Sequence, residues 1–225
     1  MIEIEEIKKN IALKALEFIK PGMKVGLGSG TTAAYFIKAL GQKIQKGLKI
    51  EAIAASLESE KLAQRYKIAL NPELTLCDIY IDGTDEIDEA KNCLKGKGKA
   101  LFREKIIACM SKEVLILADE TKRSFVLHKS PLVIEILPFG YLSTILHLEK
   151  LGFHGSIRLD HQNKKVLTDN HNYLFDITLK SPIDNPRKLH EMLKKIPGVL
   201  ETGLFFDLVN KALIGLKGGQ IIVFE

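Results

Sequence analysis

Residues 23–40 read MKVGLGSGTTAAYFIKAL. Met23, Val25 and Leu27 alternate as in a short strand, a glycine-rich turn spans Gly26 to Thr32, and Ala33, Phe36, Ile37 and Leu40 recur at helical spacing. A strand that runs through glycines straight into a helix is the opening unit of an α/β sheet. Glycine lets the backbone come close to a ligand, and the free N–H groups of the following helix attract an anion. Ser29, Thr31 and Thr32 add hydroxyl donors on either side of Gly30. Thr31 stands where a dinucleotide fingerprint needs glycine, and no Gly-Lys-Ser/Thr of a Walker loop is present, so nucleotides are disfavoured. A tight turn with no ligand is the alternative.

Outward from this unit the same grammar continues. Ile4 to Phe18 reads as an amphipathic helix ended by Pro21 and Gly22. Strands are expected at Leu48 to Ala54, Ile68 to Leu70, Leu76 to Ile81 and Val114 to Ala118, with helices at Glu58 to Tyr66 and Leu101 to Ser111. Such alternation predicts right-handed crossovers and a mainly parallel, Rossmann-like sheet flanked by helices. After Lys122 the pattern changes: an apolar run at Leu132 to Leu137, a helix at Thr144 to Leu151, antiparallel strands at Ser156 to Leu159, Lys165 to Leu167 and Leu174 to Leu179, and a helix at Asp184 to Lys195. Strands at Ala212 to Gly215 and Gln220 to Phe224 rejoin the first sheet. The expected organisation is a Rossmann-like catalytic domain at 1–126 plus 203–225, with a smaller α+β lid domain at 127–202 inserted before the C-terminal strands.

Composition narrows the function classes. With 46% hydrophobic and 27% charged residues the chain is an ordinary globular enzyme in type, large enough to bury a core without staples. The start resembles neither a signal nor a transit peptide and no apolar run reaches the length of a membrane span, so a cytoplasmic protein with no membrane partner is expected. Cys77, Cys93 and Cys109 form no CxxC pair and lie in or beside apolar segments, which predicts buried, reduced thiols. His161 and His171 are the nearest approach to a metal pair, but no carboxylate or Cys completes a set, so no metal is expected. The net charge of +5 suits an anionic partner. Its lysines are spread over helices and loops without interleaved aromatics, which favours small phosphorylated molecules over nucleic acid.

Two further stretches carry chemistry. Ile79-Tyr80-Ile81-Asp82-Gly83-Thr84-Asp85 places two carboxylates three apart directly after a buried strand, where open α/β sheets bind ligands. Asp85 or Asp88 also reads as the cap of a short helix, with the rest a solvated turn. Lys95-Gly96-Lys97-Gly98-Lys99 opens a helix that carries Glu104, and a glycine-spaced lysine loop of this kind can surround an oxyanion. A solvated, charged helix start is the bland alternative.

Taken together, GLGSGTT at 26–32, ASLESE at 55–60, DGTDEI at 82–87, KGKGKALFREK at 95–105 and ADETK at 118–122 resemble the type A ribose-5-phosphate isomerase family. PLVIEILPF at 131–139, VLTDN at 166–170 and PGVLETGLF at 197–205 extend the resemblance, in order and spacing, through the expected lid. It implies reversible conversion of D-ribose 5-phosphate into D-ribulose 5-phosphate in the non-oxidative pentose phosphate pathway, without cofactor or metal, by a homodimer or homotetramer. By the same match Glu104 is the proton-transfer base, and Lys95 with the loop N–H groups of Gly96, Lys97 and Gly98 meets the enediolate charge. Asp82 handles hydroxyl protons and ring opening; Asp85, Gly83 and Thr84 hold the sugar. Ser29, Gly30, Thr31, Thr32 and Lys122 receive the phosphate, with Lys8 either joining them or lying on the surface. Ser56 and Ser59 match the family's serine pair and equally fit helix caps.

The chain departs from the family where Lys97 and Lys99 replace small residues, which adds charge and removes a flexible position. Lys97 is expected to point to solvent or to salt-bridge across the cleft mouth. Two other classes stay in view. An amino-sugar phosphate deaminase on this fold needs a catalytic His, and none lies beside these motifs; a sugar-phosphate sensor has no need of Glu104 and Lys95 together. A nucleic-acid module rests on charge alone.

Overall fold

The computed structural model describes residues 3–225. Helix α1 (Ile4–Ala15) turns Ile7, Ile11, Ala12 and Ala15 inward and runs into a 3₁₀ turn at Leu16–Phe18. Strand β1 (Lys24–Leu27), helix α2 (Gly30–Gln45), β2 (Glu51–Ala54), α3 (Leu57–Arg65) and β3 (Ile79–Gly83) follow. Two short strands, β4 (Glu86–Ile87) and β5 (Cys93–Leu94), precede α4 (Leu101–Cys109) and β6 (Val114–Asp119). Next come β7 (Leu132–Ile136), α5 (Tyr141–Lys150), β8 (Gly155–Ile157), β9 (Tyr173–Ile177) and α6 (Pro186–Lys194). The last elements are β10 (Val199–Thr202), β11 (Leu204–Phe205), β12 (Lys211–Gly215) and β13 (Ile221–Phe224).

The chain divides into two compact units, one made of Met1–Thr84, Arg103–Arg123 and Leu208–Glu225, the other of Asp85–Phe102 and Ser124–Asp207. The first holds a six-stranded sheet in the order β13-β12-β6-β3-β1-β2, parallel except for the β12–β13 pair. Its inner strands are covered on both faces, so β6 reads as an unbroken buried run, Val-Leu-Ile-Leu-Ala-Asp. Val25, Leu27, Phe36, Ile37, Leu40, Ile81 and Leu117 lie in its core, each side chain stabilising the fold by roughly 1.5–3 kcal/mol through burial. From β1 the chain steps to β2 on one side, and β3 lies on the other. The strand order therefore reverses between β1 and β3, and the crevice beyond their carboxyl ends is where such sheets take ligands.

The second unit contains a four-stranded antiparallel sheet, β10-β7-β9-β8, and a three-stranded ribbon, β11-β5-β4. Leu132, Ile134 and Ile136 of β7 and Phe175 and Ile177 of β9 alternate into one core with Leu148 of α5 and Leu193 of α6. Helix α6 starts with Pro186 in its first turn, and the side chain of Asn185 caps it by accepting from the Lys188 N–H at 2.9 Å. A mainly parallel, helix-flanked sheet with a smaller α+β unit is the fold class expected from the sequence.

The differences have local causes. Residues 85–102, placed by sequence with the first domain, group with the second unit because β5 pairs with β11. Ile68 to Leu70 makes only a single bridge, Leu70 to Ala52. Lys67 before it is left-handed at φ 58°, and Pro72 after it has no N–H to extend a ladder. Lys165 to Leu167 likewise forms isolated bridges to Leu159 and Tyr173 rather than a strand. Cys109 is exposed, against the buried thiol expected, since Glu104, Lys105, Ile107 and Ala108 take the inner face of α4. Cys77 and Cys93 are buried, and burial pushes the Cys77 thiol up to about 11.

Candidate active site

In the first unit the carboxyl end of β1 runs into Gly28 and Ser29, and that of β3 into Asp82 and Gly83. Gly28 donates its N–H to the Ile81 carbonyl at 2.9 Å, which brings the two turns together. A Cβ on Gly28 would lie 2.1 Å from Asp82 Oδ1, so only glycine admits the aspartate here. Asp82, fully buried, accepts at Oδ1 from the N–H groups of Ser29 at 2.9 Å and Gly83 at 2.7 Å, while the Tyr80 hydroxyl donates to Oδ2. Burial, and then the negative charges of Asp82 and Glu104, push the Tyr80 phenol well above its ordinary value. It is therefore a neutral donor throughout the working pH range.

Glu104 sits in the first turn of α4 and is 3% exposed. Ser29 is the N-cap residue of α2, yet its hydroxyl does not cap the helix and instead donates to Glu104 Oε1 at 2.5 Å. A hydrogen bond to the charged form of a carboxylate fixes its direction. The serine pair is supporting structure: Ser56 caps α3 by accepting from the Ser59 N–H at 3.0 Å, and Ser59 Oγ donates to the Gly28 carbonyl at 2.7 Å. Both serines are buried. Of the two serines only Ser56 is a helix cap; Ser59 lies within α3 and instead pins the glycine turn.

Gly30, Thr31 and Thr32 open α2, with Gly30 and Thr31 exposed and Thr32 half-buried. Lys122 stands in the 3₁₀ turn Glu120–Lys122 at the carboxyl end of β6, on the strand neighbouring β3. The Asp119 side chain caps that turn by accepting from the Thr121 N–H at 3.0 Å. Ser29, Asp82, Gly83 and Lys122 therefore lie at or just beyond the carboxyl ends of three adjacent parallel strands, with Thr84 directly after β3. Lys8 is paired with Glu5 at 2.7 Å, and Glu5 also accepts from the Tyr35 hydroxyl at 2.6 Å.

In the second unit Lys95 is 4% exposed, its N–H donating to the Gly203 carbonyl at 2.9 Å and its ammonium 5.5 Å from the centre of the Phe205 ring. Gly96 has φ +127°, and a Cβ there would meet Val133 Cβ at 2.7 Å. Lys97 donates its N–H to Asp85 Oδ2 at 2.9 Å and its ammonium to Ser130 Oγ at 3.2 Å. Ser130 Oγ in turn donates to the Asp85 carbonyl at 3.2 Å. The Lys97 side chain is exposed but tied to Ser130, and that hydrogen bond replaces the expected salt bridge. Lys99 occupies the left-handed region at φ 65°, the conformation that makes glycine the easier residue at this position. Glu86, next to Asp85, accepts from the N–H groups of His128, Lys129 and Ser130 at 2.9, 3.1 and 2.7 Å. Burial raises its carboxyl, but these hydrogen bonds outweigh it and hold the group below the usual carboxylate range.

Sequence reading missed Tyr80 as part of the site, although two-residue periodicity places it on the same face of β3 as Asp82. It also missed Ser130 and Arg158, for which no local signal exists. Among the described residues no group of three or more His, Cys, Asp or Glu is placed to hold a metal ion, and no helix is long and apolar enough to cross a membrane.

Comparison with known proteins bears on this geometry. The family description "Ribose 5-phosphate isomerase A (phosphoriboisomerase A)" matches residues 51–219. Ribose-5-phosphate isomerase A of Protochlamydia amoebophila is 47% identical over 95% of this chain and 93% of its own length. That of Picrophilus torridus is 40% identical, over 97% and 98%. A D-ribose-5-phosphate isomerase solved in complex with phospho-erythronic acid superposes with a TM-score of 0.95 over all of both chains at 34% identity. The ribose 5-phosphate isomerase A structure from Methanocaldococcus jannaschii does so with a TM-score of 0.92 at 36% identity, over 98% of this chain and 99% of that one. With a carboxylate seated by a serine at the switch point of a parallel sheet, and this likeness running the length of the chain, the protein belongs to the ribose-5-phosphate isomerase A family.

Proposed function

We propose that the chain interconverts D-ribose 5-phosphate and D-ribulose 5-phosphate, with Glu104 carrying the proton between C1 and C2. The observation that carries this reading is the buried Glu104 carboxylate held by Ser29 Oγ at 2.5 Å beside Asp82 and the α2 N-terminus. A carbonyl at C1 acidifies the proton on C2. Glu104 removes that proton, the electrons move to the carbonyl oxygen as an enediolate, and the same carboxylic acid returns the proton to C1 while the C2 hydroxyl proton passes, by way of Asp82, to the C1 oxygen, leaving the ketone at C2 and a hydroxyl at C1. One base serves both directions.

The remaining residues divide by the charge they meet. The amides and hydroxyls at Gly30, Thr31 and Thr32, with the Lys122 ammonium, suit the phosphate dianion, while Ser29, whose N–H and hydroxyl donate to Asp82 and Glu104, borders that site. Asp82, held by two amides and a phenol, moves hydroxyl protons and opens the furanose ring, while Asp85, Gly83 and Thr84 hold the sugar. Lys95 and the amides of Gly96 and Gly98 are assigned the enediolate charge, the Lys97 amide being taken by Asp85. No residue in this scheme requires a metal. The product serves the non-oxidative pentose phosphate pathway in the cytoplasm, and the working form is a homodimer or homotetramer.

A relative of the same fold bound to phospho-erythronic acid supports a site for phosphorylated sugar acids. The test is formation of ribulose 5-phosphate from ribose 5-phosphate by the purified chain in excess chelator. Turnover under those conditions is expected. No turnover, or turnover only after a divalent metal is added, contradicts the reading.

A further inference from the structure

We infer that Arg158, outside every motif above, is the positioning residue of the lysine loop and sets the direction of the Gly98 amide. The inference rests on the isomerase reading only for what the loop is used for.

The guanidinium is committed on every side. Its Nε and Nη2 grip the Asp176 carboxylate of β9 at 2.8 and 2.5 Å, a two-point pair that fixes its plane. The remaining Nη1 donates to two successive loop carbonyls, Gly96 at 2.8 Å and Lys97 at 3.2 Å. The backbone beneath it is held too, since the Arg158 N–H donates to the Leu174 carbonyl and the Arg158 carbonyl accepts from the Val166 N–H, both at 2.9 Å. Arg158 and Asp176 side chains are only 17% and 25% exposed.

The consequence follows from peptide geometry. In a planar trans peptide the C=O and the next residue's N–H point in opposite directions, and no peptide bond among the described residues is cis. With the Gly96 carbonyl on Arg158, the Lys97 N–H faces the other way, where it meets Asp85 Oδ2 at 2.9 Å. With the Lys97 carbonyl on Arg158, the Gly98 N–H faces away from the guanidinium, on the exposed stretch 97–99 of the loop. The loop would not keep this shape unaided: Lys99 at φ +65° occupies a region that an L side chain disfavours by about 1–2 kcal/mol, and Gly96 at φ +127°, with no Cβ, is just as free to take other conformations. An amide that meets developing charge must be oriented before the charge forms. Lysine cannot substitute, because a single ammonium cannot hold the carboxylate by a fork and two carbonyls at fixed angles.

Arg158→Ala, Arg158→Lys and Asp176→Asn are compared with the native protein by amide hydrogen exchange over residues 94–102 and by steady-state isomerisation of ribose 5-phosphate. Arg158→Ala is expected to exchange its loop amides at least about tenfold faster and to lose about 10- to 100-fold in kcat with little change in KM, because the oriented amide acts in the transition state. Arg158→Lys is expected to recover neither, and millimolar methylguanidinium is expected to restore part of the kcat of Arg158→Ala. Native exchange in the alanine variant, native kcat, full recovery by lysine, or no response to methylguanidinium overturns the inference. Should the alanine variant fail to fold, the lysine and Asp176→Asn variants carry the same two measurements. A native protein that does not turn over ribose 5-phosphate sinks the isomerase reading, while the exchange data still decide whether Arg158 holds the loop.

Discussion

The turn at Gly28 and Ser29 and the loop from Lys95 to Lys99 solve the same problem, aiming polar groups, by opposite means. At the first, side chains are aimed by backbone: Asp82 takes the amides of Ser29 and Gly83, and its place exists because Gly28 has no Cβ. At the second, backbone is aimed by side chains: Asp85 takes the Lys97 amide, and Arg158 takes the Gly96 and Lys97 carbonyls. A strand end in a parallel sheet has its direction set by the ladder, so one glycine and one aspartate suffice there. A loop with two positive-φ residues has no ladder and must borrow rigidity from neighbours far along the chain.

This contrast can be broken in order of expected effect. Gly28→Ala puts a carbon where Asp82 Oδ1 now lies, and a displaced site of this kind is expected to lose about 10²-fold or more in kcat/KM. Activity within a few-fold of native would show that backbone does not position Asp82. Tyr80→Phe removes the donor to Asp82 Oδ2 and leaves a fully buried acceptor short of a partner, an expected loss of about 1–3 kcal/mol in stability by denaturant titration. No loss would mean that the carboxylate is satisfied without the phenol.

Glu86 sharpens the comparison, as it anchors three amides near the loop's own anchor Asp85. Its folded carboxyl is lowered from an ordinary value of 4.5, so the unfolded chain binds more protons on the acid side. The stability it contributes is present above that ordinary value and lost as pH falls through the folded one. Glu86→Gln is therefore expected to flatten the acid limb of a plot of stability against pH; an equally steep limb would contradict the assignment. The smallest effect is expected from Lys97→Gly. The Lys97 ammonium is taken up by Ser130, so KM for the sugar phosphate should stay within about twofold of native, and a tenfold rise would indicate direct contact.

The same contrast explains what could be read from sequence. The strand, glycine turn and helix at 23–40, the aspartate at the end of a buried strand and the alternation of elements are local patterns, and all of them appear in the fold. The two-residue strands β4, β5 and β11 are too short to show a period, which is why the sequence pattern groups residues 85–102 with the first domain. Contacts that depend on topology were invisible. Ser29 meets Asp82 across 53 positions and Glu104 across 75, and Arg158 meets Gly96 across 62. The resemblance to a family singled out Glu104 and Lys95; nothing local singled out Arg158.

The proton-transfer role of Glu104 is tested most directly by Glu104→Gln, which keeps the volume of the side chain and an oxygen for Ser29 Oγ while removing the base. With far-UV and thermal profiles matching the native protein, kcat for ribose 5-phosphate isomerisation is expected to fall by about 10²–10⁴-fold. A correctly folded Glu104→Gln protein that isomerises ribose 5-phosphate at close to the native rate would contradict the role assigned to this carboxylate.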